Sequence, residues 1–349
     1  MPPKQFVPPF AKAYSLNLVD DVIYAATGQG CNGNKNGVFA MDLSSPDRPV
    51  TEFRSTTSGG AGIWGRAGVA IGFNGRIFAE TGAGPYDPAN RKWSDTFVGL
   101  EPKSLKVADY YTPANRAWIT KKDLDMGSLS PVVFQFKNWE LVAGGGKEGV
   151  LYLLDAKSLG GADHPTPPYR SPLITNEDVD FAGRGFWGSL STWEDPEGTR
   201  WLYAPAYGPP ASTAPKFPNS YGETPNGSVM AFKIVEKDGK PYPEAAWMSL
   251  DMAMPEPVVI ANGVVFALAN GECTRQVDEG GRLLTSEERI EKRKGNAILY
   301  ALDAKTGKVL FSSGDSIPGW VHFSGLALAN GRVFVVTHDS TVYAFGLEQ

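Results

Sequence analysis

The chain has 349 residues with a formal net charge of −5, and it contains 40 glycines, 27 prolines and 42% hydrophobic residues. So much glycine and proline excludes a helical bundle, the apolar fraction excludes disorder, and the interspersed charges indicate no nucleic-acid partner. No apolar run is long enough for a membrane span, and residues 1–5 lack the apolar stretch of a signal peptide, so we expect neither in this chain.

One β-rich sequence pattern recurs along the chain. It consists of an apolar run, a loop of small residues and a second apolar run that often ends in Asp, and each copy predicts a β-hairpin. In chain order the copies are 22–27 with 37–43, 76–82 with 95–101, 140–146 with 149–155, 200–205 with 227–232, 263–269 with 297–303, and 332–337 with 341–346.

Further strands flank these hairpins. One is predicted before each pair, at 13–18, 68–73, 131–136, 187–193, 257–261 and 324–329. Another follows most pairs, for example at 50–54, 108–111 and 309–312. Asn262-Gly and Asn330-Gly separate the first and second strands of their repeats, and Asn-Gly is a strong hairpin signal.

The repeating unit is therefore four strands, A to D, with a period of roughly 50–60 residues, which is typical of propeller blades. We predict an all-β fold, a single β-propeller of about six four-stranded blades, with seven as the alternative. A β-sandwich is the other interpretation of such strands, but that fold does not require the same sequence pattern to recur along the chain. The approximate blades are 13–55, 68–112, 131–173, 187–250, 257–313 and 324–349.

Two segments lie outside this regular pattern. The last repeat stops after its third strand, so we hypothesise that residues 4–10 supply the outer strand and close the ring, which avoids a free sheet edge. Thr285-Ser-Glu-Glu288 reads as a capping box and predicts one short helix in the long B–C loop of blade five. This helix could cover the central face as a lid or form a solvated excursion.

The spacing Gly28-x-Gly-x-x-Gly33 follows a strand, as a dinucleotide-binding fingerprint does. A phosphate cradle also needs a helix N-terminus directly after the glycines. The run at 37–43 predicts a strand there instead. The sequence therefore predicts no dinucleotide site.

Ala301–Phe311 resembles the repeat of the quinoprotein (PQQ-type) β-propeller family, whose usual form is A-x-D-x-x-T-G-K-x-x-W, with Phe311 in place of the Trp. The segments 152–158 and 38–43 are weaker copies. In physical terms Asp-x-x-Thr-Gly is a turn in which the Asp and Thr side chains bond to the backbone and Gly takes a positive φ. The motif thus specifies a blade corner.

The family contains PQQ-dependent alcohol dehydrogenases, which have eight blades and a calcium site, and non-catalytic scaffolds such as outer-membrane assembly lipoproteins. The resemblance implies a periplasmic or secreted protein and PQQ with calcium as the cofactor. The dehydrogenases also carry a vicinal cysteine pair, whereas the two cysteines of this chain, Cys31 and Cys273, are not adjacent. Whether the chain is an enzyme is left open.

The B–C and D–A loops of a propeller meet on one face, around the central channel. Aromatic and cationic residues of these loops are the candidate ligand-binding residues: Trp64, Arg66, Tyr86, Lys147, Arg184, Trp187, Tyr207, Trp320, His322 and His338. The Trp side chains could fill the spaces between blades while the Arg side chains bond to loop carbonyls. Alternatively, the set lines a funnel that binds a saccharide, a phenolic compound or a planar cofactor.

Two functions follow from these interpretations. The first is a ligand-binding propeller, with oxidoreductase chemistry as one option. The second is a non-catalytic scaffold that binds a protein on its face or rim. We expect a monomer, no metal site built from the three histidines, and two free thiols in preference to a disulfide.

Overall fold

The computed structural model describes residues 3–160 and 167–346. The chain divides into two compact units, Met1–Arg170 and Ser171–Gln349. Each unit contributes three main sheets, whose strand pairs are almost all antiparallel, and the all-β fold is a six-bladed β-propeller, as predicted. No helix in the described ranges is long and apolar enough to cross a membrane.

The first unit holds three four-stranded blades, each with its strands in chain order. The first blade comprises β1 (Lys12–Val19), β2 (Val22–Gly28), β3 (Gly37–Asp42) and β4 (Val50–Arg54). The second comprises β5 (Ala70–Ile71), β6 (Ile77–Glu80), β7 (Phe97–Leu100) and β8 (Val107–Tyr111). Helix α1 (Arg116–Lys121) and the short β9 (Leu129–Ser130) precede the third, which comprises β10 (Val132–Phe136), β11 (Trp139–Gly144), β12 (Tyr152–Asp155) and β13 (Tyr169–Arg170).

The second unit holds the remaining blades. The fourth is built on β14 (Gly185–Phe186), β16 (Ser191–Glu194), β17 (Arg200–Tyr207), β18 (Asn219–Ser220), β19 (Gly227–Lys237) and β20 (Lys240–Met248), and the short β15 (Gly188–Ser189) lies between β14 and β16 in the chain. The fifth comprises β21 (Val259–Ala261), β22 (Val264–Ala269), β23 (Ile298–Asp303) and β24 (Val309–Ser312), with α2 (Ser286–Glu291) between its second and third strands. The last comprises β25 (Leu326–Ala329), β26 (Arg332–Val336) and β27 (Val342–Gly346). Short 3-10 turns lie at Cys31–Gly33, Pro88–Asn90, Met126–Ser128 and Gly314–Ser316.

The inner strand of the fourth blade differs from its predicted single run over 187–193. Two separate strands, β14 and β16, pair with β17 instead. Gly185 and Gly188 have φ values of 93° and 83°, which a regular strand does not accommodate. The run is therefore broken around Trp187.

The expected closing strand over residues 4–10 does not form. Residues 3–10 contain no strand, and the last blade has three strands in the described part of the chain. Proline residues, which stand at positions 8 and 9, are unfavourable in a β-sheet, and this explains the missing strand. The segment lies against the first blade: Asn34 Nδ2 donates to the Pro9 carbonyl at 2.9 Å. Phe6 and Val7 help to line a pocket of about 230 Å³ there.

The hydrophobic core of each unit lies between successive blades. In the first unit, buried side chains of the first blade, such as Tyr24 and Val38, cluster with Ile77 and Val98 of the second. In the second unit, Trp247 of the fourth blade joins a cluster that includes residues of the fifth. This packing follows from the sequences of the second and third strands of each blade, which are apolar runs; β2 and β3, for example, are buried along almost their whole length.

The blade corner at Asp303–Gly307 has the predicted geometry. Asp303 Oδ1 accepts hydrogen bonds from the Lys305 and Thr306 amides at 3.1 and 2.8 Å and from the Thr306 hydroxyl at 2.8 Å. Gly307 has a φ of 74°. Trp247 of the preceding blade packs on this turn, and its Nε1 donates to the Ala304 carbonyl at 2.9 Å. The repeat motif therefore joins neighbouring blades as well as turning the chain.

We expect Gly307→Ala to lower the free energy of unfolding by about 2 kcal/mol, because the side chain meets both backbone strain and overpacking. A Cβ at position 307 would lie 2.6 Å from Cε3 of Trp247, at a positive φ. Chemical denaturation measures the change. Gly295→Ala is the matched control, since a Cβ there meets no atom within 4 Å. Equal stabilities of the two variants would contradict the packing at this corner.

Both helices are short and lie in loops. The predicted capping box is confirmed, because the Thr285 side chain accepts from the Glu288 amide while the Glu288 side chain accepts from the Thr285 amide. Helix α1 was not predicted: it has six residues and no capping side chain, so its sequence carries no start signal. After the Gly28–Gly33 spacing the chain enters β3, in agreement with the prediction of no dinucleotide cradle.

Candidate functional site

Aromatic side chains of the second unit form a continuous series of ring contacts, which we call the aromatic ladder. Its members, in order of contact, are Tyr207, Trp187, Phe323, His322, Trp320 and His338. All except Phe323 are sequence-predicted site residues, and all lie at the ends of strands or in the loops that follow or precede them. The fold of this unit therefore brings five predicted residues together.

The ring geometry shows three stacked pairs, and the middle one joins His322 to Phe323 with centroids 4.0 Å apart and an interplanar angle of 19°. Trp187 stacks on Tyr207 with centroids 5.4 Å apart and an interplanar angle of 11°. Trp320 stacks on His338 at 4.5 Å and 14°. The backbone fixes this last pair, because the His338 amide donates to the Trp320 carbonyl at 2.9 Å.

The rings of the ladder differ in burial, and the buried and the exposed rings are of different types. Tyr207, Trp187 and Trp320 are 0%, 5% and 7% exposed. By contrast, His338 is exposed and the His322 side chain is 29% exposed. The tryptophan rings thus act mainly in packing, and the imidazole rings form the solvent-exposed surface of the ladder.

A buried carboxylate supports His322, in the middle of the ladder. Glu272 is fully buried in the loop after β22, and its Oε2 lies 2.6 Å from His322 Nδ1. Its Oε1 contacts Arg289 Nη2 from helix α2 and accepts from Gln276 Nε2 at 3.3 Å. Arg289 Nη2 also lies 3.1 Å from His322 Nδ1. A charge buried this completely is stable only with such partners.

Sequence reasoning missed Glu272 and Arg289. Two signals could have identified them: a carboxylate inside the small-residue loop Asn270–Cys273, and an arginine on a well-capped helix inserted in the same blade. Burial lowers the pKa of the Arg289 guanidinium from its ordinary value. Helix α2 is therefore tied to the site by Arg289 and is more than a solvated excursion.

Arg184 serves the loop that carries Trp187. Its Nη1 donates to the Gly183 carbonyl at 3.1 Å, and its Nε lies 3.5 Å from Asp178 Oδ2. The Arg184 carbonyl accepts from Trp187 Nε1 at 2.6 Å. This arrangement matches the interpretation in which arginines bond to loop carbonyls.

The predicted residues of the first unit form separate contacts. Lys147 is 4% exposed; its Nζ donates to Asp125 Oδ2 at 2.5 Å and to the Asp123 carbonyl at 3.1 Å, and lies 5.2 Å from the Trp64 ring centroid. Asp125 Oδ1 in turn accepts from the Ala83 amide at 2.6 Å. Lys147 thus holds neighbouring loops together from a buried position.

Tyr86 and Arg66 have other partners. Arg116 of α1 lies over the Tyr86 ring, with its Cζ 4.6 Å from the centroid. Burial raises the pKa of the Tyr14 hydroxyl to about 12, and the charge of nearby Arg66 opposes this rise.

Two fully buried acids of the first unit were also missed. Burial raises the pKa of Asp95 to about 7, although the Thr120 hydroxyl, which donates to its Oδ2 at 2.5 Å, opposes this rise. Burial raises the pKa of Glu80 well above its ordinary value, against a hydrogen bond from the Gly145 amide. Nothing in the strand-like sequence around either acid signals burial.

The residues present do not fit the cofactor that the family resemblance implies. Cys31 and Cys273 are far apart in sequence and each is a free thiol, so a vicinal pair is lacking. In residues 3–160 and 167–346 no group of three or more His, Cys, Asp or Glu side chains is arranged to hold a metal ion. The donor set therefore offers no counterpart of a PQQ and calcium site in these ranges.

No protein-family model matches the chain, and no curated protein matches it by sequence. Solved structures do match. The quinohemoprotein alcohol dehydrogenase ADHIIG from Pseudomonas putida HK5 has 12% identity and a TM-score of 0.53, over 91% of this chain and 54% of that one. A europium-containing methanol dehydrogenase has 14% identity and a TM-score of 0.52, over 95% of this chain and 64% of that one.

The Dos1 propeller matches equally well, with 9% identity and a TM-score of 0.53, over 96% of this chain and 70% of that one. The chain spans only 54% and 64% of the length of the two dehydrogenases. At such low identity the similarity shows the β-propeller fold, which dehydrogenases share with a protein described only as a propeller. Function must therefore be argued from this chain's own residues.

Proposed function

We propose that the chain binds a small planar ligand of phenolic type at the exposed end of the aromatic ladder. The observation that carries the proposal is the exposed His338 ring stacked at 4.5 Å on the buried Trp320. Trp320 fixes the orientation of the imidazole, so a flat ligand can add to the stack without ordering it first.

The surface chemistry favours a phenol over a saccharide. A sugar stacks best on a broad, exposed indole face, and Trp187 and Trp320 are buried. An imidazole offers a smaller flat face together with ring nitrogens that donate to or accept from a hydroxyl. A PQQ-sized cofactor is disfavoured by the missing donor set described above.

Equilibrium dialysis with para-nitrophenol, glucose and PQQ plus calcium tests the proposal. We expect para-nitrophenol alone to bind, and His338→Ala to weaken its binding at least about tenfold, or about 1.4 kcal/mol, through loss of the stacking face. Tyr221→Ala is the matched control, because Tyr221 is an aromatic residue of the same unit with 39% exposure. Unchanged affinity in His338→Ala, or binding of glucose in place of the phenol, would contradict the assignment.

A periplasmic or secreted location and a monomeric state are further elements of the proposal. Cell fractionation and analytical ultracentrifugation test them. Oxidoreductase activity with PQQ is the alternative to the phenolic assignment, and equilibrium dialysis with PQQ and calcium tests it, since bound PQQ would replace the phenolic assignment by a cofactor site.

One observation favours the scaffold function as a second candidate. The last blade has three strands in the described residues, and its edge strand β27 exposes 62% of Val342. Such an edge accepts an extended segment of a partner protein. Val342→Lys should then reduce partner recovery in affinity purification at an unchanged melting temperature. Unchanged recovery would exclude this edge.

A further inference from the structure

Strand β24, the outer strand of the fifth blade, presents an unbroken apolar run to solvent. Val309, Leu310 and Phe311 are consecutive in the chain, and all three side chains are exposed. Such a run is unfavourable on a surface that meets only water, and it is typical of a contact surface. We therefore ask what normally covers the outer strand of a blade in this chain.

The first two blades show how an outer strand is covered. Phe53, on the outer strand β4 of the first blade, is 5% exposed and belongs to a core cluster with side chains of the second blade. Val107 and Tyr110, on the outer strand β8 of the second blade, pack against the same cluster. The side chains of a neighbouring outer strand thus complete the cover.

Phe311 of the fifth blade lacks this kind of cover. Its side chain is 46% exposed, and its ring contacts Phe345 of β27 with a centroid distance of 6.3 Å. Strand β27 pairs with β26 on one side, and no strand within residues 3–160 and 167–346 pairs with its other side. In this part of the chain, the outer strand of the second blade therefore has no counterpart beside Phe311.

The neighbouring edges β24 and β27 also lack the residues that prevent strand addition. Free sheet edges are usually protected by charged side chains or by proline. The outer strands of the first three blades carry such charges, with Glu52 in β4, Asp109 in β8 and Arg170 in β13. Strands β24 and β27 contain neither a charged residue nor a proline. Their sequences therefore favour pairing with a further strand.

We propose that an extended apolar segment of a partner protein adds to β27 as the fourth strand of the last blade and covers Phe311. This inference rests on the scaffold function, the second candidate above, and names the chemistry of its partner. Side chains opposite one another in a sheet lie on the same face, and Tyr343 and Phe345 face the core cluster shared with the fifth blade. The partner residues opposite these two lie beside Phe311 and are therefore apolar.

The test measures the binding of three synthetic peptides, each flanked by lysines for solubility, by fluorescence anisotropy. Valine alternates with threonine in the first peptide, serine replaces each valine in the second, and the third is the first peptide with a central proline. We expect the valine peptide to bind at least about tenfold more tightly than the serine peptide, because valine buries apolar surface against Phe311. The proline peptide should not bind, since proline has no N–H to donate to β27.

A substitution on β24 tests the position of the bound strand. Phe311→Thr should remove the preference for the valine peptide at an unchanged melting temperature, because threonine suits a strand but offers little apolar surface. Leu283→Thr is the matched control, since Leu283 is an exposed apolar residue of the same unit outside β24 and β27, and it should keep the preference.

The outcomes separate this inference from the scaffold function. Equal binding of the valine and serine peptides overturns the apolar strand and leaves the accepting edge standing, whereas no binding of either peptide overturns the edge itself. Binding of the proline peptide, or a preference that persists in Phe311→Thr, overturns strand addition beside Phe311. If Phe311→Thr fails to fold, hydrogen exchange of the native chain replaces it: the valine peptide must slow exchange of the β27 amides, and unchanged exchange overturns the proposal.

Discussion

Replacing Trp247 by Ala is expected to lower the free energy of unfolding by about 4 kcal/mol, the typical effect of removing a large side chain from a core. Trp247 is fully buried between the fourth and fifth blades. Its Nε1 donates to the Ala304 carbonyl at 2.9 Å, and its ring covers Gly307 of the blade corner. The substitution therefore opens a cavity and separates the corner from the neighbouring blade.

Urea or guanidinium unfolding measures this effect. Trp118→Ala is the matched control, because Trp118 lies on helix α1 and is 39% exposed. We expect the control to change stability by less than about 1 kcal/mol. A Trp247→Ala variant as stable as the control would show that the repeat motif does not connect the blades.

Asp95→Asn is expected to stabilise the protein at alkaline pH and to have little effect at about pH 4. Burial raises the pKa of Asp95 to about 7 in the folded state, from an ordinary value of 3.8. Between these values the folded chain holds a proton that the unfolded chain releases, so stability falls as the pH rises towards 7. Above pH 7 the full loss is on the order of 4 kcal/mol. The amide mimics the protonated acid and removes the loss.

Thermal unfolding of both proteins across this pH range measures the effect. The amide can keep both described contacts, since its oxygen accepts from the Met126 amide and its nitrogen donates to the Thr120 hydroxyl. Asp47→Asn, at an exposed position, should leave the pH dependence of the native protein unchanged. Parallel pH profiles of the native chain and Asp95→Asn would mean that Asp95 is already charged in the folded state.

The sequence predicted the blades well because their signals are local. Apolar runs such as those of β2 and β3 repeat at a regular spacing, and Asn262 and Asn330 have the positive φ that their Asn-Gly turns require. The closing strand predicted over residues 4–10 does not form. The prediction gave more weight to avoiding a free sheet edge than to the two prolines in this segment. The broken strand around Trp187 depends on the positive φ values of Gly185 and Gly188, which strand periodicity does not reveal.

The candidate site was predictable only in part. Placing loops on a common face selected Trp187, Tyr207, Trp320, His322 and His338, and the structure joins them in one unit. Burial was not predictable, because it depends on contacts between residues distant in sequence. Glu272 and His322 are separated by 50 positions, so their pairing carries no local signal. The same limit applies to Lys147 and its neutralisation by Asp125.

Ligand binding at the exposed end of the aromatic ladder is tested most directly by the indole N–H signals of the nine tryptophans in a ¹⁵N NMR titration with para-nitrophenol. We predict saturable shifts for Trp320, under the His338 ring, and smaller ones for Trp187. The signals of Trp118 and of the buried Trp201 should stay in place. A Trp320 signal that does not move while the probe binds would contradict the assignment.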